Sequence, residues 1–117
     1  MKVEKMNEFL LVFRSDYDTK RLQLSAGEMH TYLKCWDDWL DYLAAQNILA
    51  RPFQSLDDQG MILNPNHTME RGPYFELKES ITGLIVIKAM NYEEALKIAQ
   101  DCPILEVGGN VEIRLGN

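Results

Sequence analysis

Two short runs of almost unbroken apolar residues mark the chain: Phe9-Leu10-Leu11-Val12-Phe13, within residues 8–14, and Leu84-Ile85-Val86-Ile87, within residues 83–89. Such runs, rich in β-branched and aromatic side chains, suit strands covered on both faces, and both are predicted to be central strands. Polar turn chemistry follows the first run at Ser15-Asp16-Tyr17-Asp18, and the stretch to Leu24 is expected to be a loop. Ser25 and Glu28 then stand at the spacing of a capping box, in which hydroxyl and carboxylate each satisfy a free backbone N–H. A helix is predicted from there. Met29, Leu33, Trp36, Leu40 and Leu43 recur at steps of four and three, with Tyr32 and Trp39 widening the stripe. His30, Lys34, Asp37, Asp38 and Asp41 fall on the other, solvated side, and Asn47 ends the helix.

A short second strand is expected over residues 48–51, since Pro52 pushes the residue before it toward extended geometry. Residues 61–63 and 67–69 flank Asn64-Pro65-Asn66, a turn whose proline presets φ, so a hairpin is predicted before Arg71-Gly72-Pro73 breaks the pattern. Asn91 caps a second helix, with Glu93 and Glu94 at its positive end and Tyr92, Ala95, Leu96, Ile98 and Ala99 on its buried side; Pro103 follows its end. Residues 111–115 alternate strictly, as an edge strand does. The pattern is α+β: a β-α-β-β-α-β plan with an inserted hairpin, all 117 residues in one domain.

Both helices of such a plan lie on one face of the sheet, which leaves the other face bare. Phe9, Leu11 and Phe13 point one way and Leu10 and Val12 the other; Leu84 and Val86 oppose Ile85 and Ile87. One of these sets would form an apolar patch larger than monomers usually tolerate. A two-fold homodimer, sheet against sheet, is the expected answer, and the hairpin folding across the sheet is the rival cover.

Composition narrows the partners. With 46% apolar and 26% charged residues the chain is ordinary for a globular domain, and no apolar run approaches the roughly 18–20 residues that span a bilayer. A soluble, cytoplasmic protein with no membrane partner is expected. The formal charge of -6 repels phosphate backbones, so nucleic acid is not expected as a partner. Cys35 and Cys102 are read as two reduced, buried thiols, and His30 and His67 lack ligands at metal spacing; neither metal nor cofactor is expected.

From Gly72 the residues become distinctive: Gly72-Pro73-Tyr74-Phe75-Glu76-Leu77-Lys78-Glu79, Gly83, Glu93-Glu94-Ala95, Asp101-Cys102-Pro103 and Gly109-Asn110-Val111-Glu112-Ile113-Arg114. In this order, with Phe13-Arg14 and Trp36 before them, they resemble the YCII-related family, in particular its DGPF-type branch. That resemblance implies a ferredoxin-like subunit in a dimeric α/β barrel, a fold shared with small-molecule isomerases, monooxygenases and dehalogenases. The chain departs from the branch's Asp-Gly-Pro-Phe at two places, Arg71 for the aspartate and Tyr74 for the phenylalanine. No role of that aspartate carries over.

Charged residues at strand ends and in the loop after Gly72 are the candidates for a pocket mouth: Arg14, His67, Arg71, Glu76, Lys78 and Glu79. Arg14 or Arg71 suits a two-pronged hydrogen bond to a carboxylate, Glu76 a base and His67 a proton shuttle. The leading expectation is a dimeric module binding a small anionic or aromatic compound. The alternatives are a cofactor-independent lyase or isomerase using Glu76 or His67, and a pure protein-interaction domain. No nucleophile elbow, phosphate-cradling loop or dinucleotide fingerprint occurs.

Overall fold

The computed structural model describes residues 6–16, 24–57, 59–72 and 79–116. Strand β1 (Asn7–Asp16) leads to helix α1 (Ala26–Ala45), strand β2 (Leu49–Ser55), and the hairpin of β3 (Gly60–Leu63) and β4 (Met69–Gly72). Strand β5 (Glu79–Ala89), helix α2 (Tyr92–Ala99), a 3-10 helix (Pro103–Val107) and strand β6 (Asn110–Leu115) complete the order. Four strands form one antiparallel sheet in the order β2-β5-β1-β6, and β3 pairs only with β4. The β-α-β-β-α-β plan with an inserted hairpin is present, and the sheet is open, not a closed barrel.

Local chemistry sets the helix ends. The Glu28 N–H donates to Ser25 Oγ at 3.1 Å and the Ser25 N–H to Glu28 Oε1 at 3.2 Å, completing the capping box. At the other end Asn47 adopts φ 57°, and the N–H groups of Asn47 and Ile48 donate back to the carbonyls of Ala44 and Leu43. These are the two closing bonds of a Schellman motif, and the short polar side chain of asparagine tolerates its left-handed residue. Asn91 caps α2 through its side chain, accepting from the Glu94 N–H at 2.9 Å.

The core lies between the sheet and both helices. Phe9, Leu11 and Phe13 of β1 and Ile85, Ile87 and Ala89 of β5 are buried against Trp39 and Leu43 of α1 and Ala95 and Ala99 of α2. Leu10 and Val12 pair with Val86 and Leu84 on the opposite face, which neither helix covers. Val12 is only 8% exposed yet lies outside the core cluster, and its three neighbours are half-buried.

Several expectations need correction. Strand β2 does not stop before Pro52 but runs through it to Ser55, with two register irregularities against β5. It is an edge strand, where a missing N–H leaves no ladder bond unmade. Tyr92 and Leu96 are about half exposed rather than buried. Tyr92 packs its ring edge on Phe9 at 4.9 Å, while its hydroxyl accepts from the Leu115 N–H at the sheet edge, which holds the ring at the surface. Leu33 is 54% exposed, because the buried stripe of α1 runs through Tyr32, Trp36, Trp39 and Leu43. Strand β4 extends through Arg71 to Gly72, so these two residues continue the strand where a break is expected.

Candidate functional site

Phe13 sits at the centre of an aromatic cluster at the β2 end of the sheet. Its ring centroid is 5.1 Å from Trp36, 5.9 Å from Phe53 and 6.3 Å from Trp39; Trp36 in turn lies 5.3 Å from Phe53. Gly83, opposite Phe13 in the ladder, makes the cluster possible. A Cβ there would stand 2.8 Å from the Phe53 ring and 2.9 Å from the Gln54 carbonyl.

The cluster forms the floor of an open groove between α1 and the sheet. Its volume is about 660 Å³, within the range of small-ligand sites. Phe13, Trp36 and Phe53 supply the base, Leu33 and Leu40 the helix wall, and Ser55 and Thr82 the polar margin. The Thr82 hydroxyl donates to the Phe13 carbonyl at 3.3 Å, which fixes that margin to β1. Among the described lining residues the charged group is Asp37.

A second cavity, about 610 Å³, lies between α1 and the 3-10 helix, and the charged groups among its described lining residues are the carboxylates Glu28, Asp101 and Glu106. Cys35 lines it and is exposed, which corrects the expectation of a buried thiol; Cys102 is buried, and the two are not bonded. Burial pushes the Cys102 thiol up to about 12, so it stays protonated and unreactive at neutral pH. Among the described residues no group of His, Cys, Asp or Glu is arranged to hold a metal ion, and no helix is long and apolar enough to cross a membrane.

The charged residues expected at a pocket mouth are dispersed. Arg14, on the open face of the sheet, donates through Nε and Nη2 to Glu112 Oε1 at 3.3 and 3.2 Å, while Arg114 holds the other oxygen at 3.1 Å. His67 is the left-handed residue (φ 65°) closing the β3–β4 turn, and its N–H donates to the Asn64 carbonyl. Arg71 is exposed on β4. None of the three lines either cavity. Glu76 and Lys78 lie outside the described residues, and of Glu79 only the backbone pairing in β5 is described.

Arg114 and Arg14 hold the Glu112 carboxyl below its usual range by hydrogen bonding. A depressed carboxylate pKa stabilises the fold above the unfolded value, and that contribution is lost as pH falls through the folded one. Thermal melts from neutral pH down into the carboxylate range should therefore show wild type and Glu112→Gln converging as acid is added. A gap that stays constant with pH would contradict the ion-pair account.

A family model of the YCII-related domain matches residues 17–115, most of the chain. The chain belongs to that family. No curated protein matches it. In this YCII-related domain the matched span covers α1, β2 and β5, so the aromatic groove, apart from Phe13, is built within it. Sequence reasoning had placed Trp36 in the packing stripe and looked for function among charges. The available signal was the clustering of Phe13, Trp36 and Phe53 at elements that converge on one end of the sheet.

Proposed function

We propose that this YCII-related domain is a small-molecule-binding module that takes a compact aromatic compound in the groove floored by Phe13, Trp36 and Phe53. The observation that carries the ligand class is the lining: the four aromatic rings of Phe13, Tyr32, Trp36 and Phe53, with the hydroxyls of Ser55 and Thr82 and the one carboxylate of Asp37 among the described lining residues. Ring-on-ring contact favours flat apolar ligands by about 0.5–1.5 kcal/mol per pair beyond area burial. Asp37 disfavours an anion, which sets an aromatic ligand ahead of an anionic one. Binding is a better reading than proton transfer by His67, which serves a turn and lines neither cavity.

The subunit in this reading is ferredoxin-like, and two copies pair sheet to sheet as in a dimeric α/β barrel. The split strand order, with β5 between β1 and β2, supports the first point. The apolar row of Leu10, Val12, Leu84 and Val86, on the face that neither helix covers, supports the second. A homodimer at micromolar concentration is expected by sedimentation, with Val86→Asp monomeric; a monomeric wild type would defeat the pairing.

Thermal shift with phenol, benzyl alcohol and benzoate tests the ligand class. A neutral aromatic at a hundred times its Kd adds about 2.7 kcal/mol of stability, on the order of 10 °C in Tm for a chain of this length. The expected result is a saturable rise with the neutral compounds that is absent in Trp36→Ala. A rise with benzoate alone would favour an anion site elsewhere.

A further inference from the structure

The β3–β4 hairpin carries a large exposed apolar surface. Register pairs Met61 with Arg71 and Leu63 with Met69, so Met61, Leu63 and Met69 share one face. They are 80%, 67% and 68% exposed. On the opposite face Ile62 is half-buried and lies 3.0 Å from the Cβ position of Gly72 across the hairpin. The hairpin forms a two-stranded sheet of its own, separate from the four-stranded one.

We propose that this hairpin is an arm that clasps a second copy of the chain beside the sheet-to-sheet contact. The inference rests on the dimer reading above and extends it. Area argues for it. The sheet face offers half-buried side chains, with Val12 nearly covered already, whereas a stable dimer buries about 800 Å² per partner. Three side chains as exposed as those of the arm add roughly 400 Å², the size of the largest apolar patch a monomer ordinarily carries. Position argues the same way. Strands β2 and β5 pair as far as Leu56 and Thr82, the Leu56 N–H donating to the Thr82 carbonyl, and the arm departs beyond that end of the open-faced sheet. Two-fold symmetry then lets each arm hold the other copy, and Arg71 and His67 travel with it to the partner.

Sedimentation equilibrium of the full chain tests the arm, comparing wild type, Val86→Asp and the triple variant Met61→Ser, Leu63→Ser, Met69→Ser. None of the three arm residues belongs to the core cluster, so the triple variant should keep the far-ultraviolet spectrum of the parent. The expected result is a dimer Kd at least about a hundredfold weaker than wild type. A Kd within threefold of wild type, with Val86→Asp monomeric, would overturn the arm and leave the sheet pairing standing. A wild type that is monomeric throughout would overturn both.

Discussion

Phe13→Ala should cost about 3–5 kcal/mol of stability, on the order of 15 °C in Tm, the largest loss expected from any single truncation near the groove. Phe13 is fully buried in the middle of the sheet and meets Trp36, Trp39 and Phe53 at once. Its removal leaves a cavity that rigid strand neighbours cannot close, since β1 is held by ladders on both sides. It also removes the groove's floor. Thermal and urea melts check the stability term. The same protein should lose the shift produced by neutral aromatics even at temperatures where it remains folded.

Gly83→Ala is expected to destabilise less, through the opposite fault, overpacking. The added methyl would stand 2.8 Å from the Phe53 ring and 2.9 Å from the Gln54 carbonyl. The ring can turn aside, but the carbonyl belongs to the β2 backbone paired with β5, so the edge strand itself must shift. Overpacking of this kind costs about 1–3 kcal/mol. Near-ultraviolet circular dichroism should report the displaced aromatic cluster directly. Phe53→Leu in the same chain should recover part of the stability, because a smaller side chain leaves room for the methyl. No recovery would assign the cost to the carbonyl clash alone.

The fold was legible where local chemistry and periodicity agreed. The capping box at Ser25 and Glu28, the unbroken runs around Leu11 and Ile85, and the alternation before Leu115 each predict an element found at that place. Pro52 misled because its effect depends on whether the strand is central or at an edge, a tertiary fact. Leu33 and Tyr92 misled because helical spacing gives a stripe's direction but not its width against a particular sheet. The site was the least legible part. Charges such as Arg14 and His67 attract attention in a sequence, yet one is consumed by Glu112 and the other by a turn. Phe13, Trp36 and Phe53 look like core in a sequence, and only the sheet's geometry brings them to an open groove.

Trp36 also supplies the most direct test. It and Trp39 are the chain's two tryptophans, so Trp39→Phe leaves one tryptophan, on the groove floor, to be excited selectively at about 295 nm. Titration of that variant with 4-nitrobenzyl alcohol, a neutral aromatic quencher, should give quenching that saturates and that Phe53→Ala abolishes. Quenching that rises linearly without saturation, unchanged by Phe53→Ala, would mean collision in solution and would contradict binding in the groove.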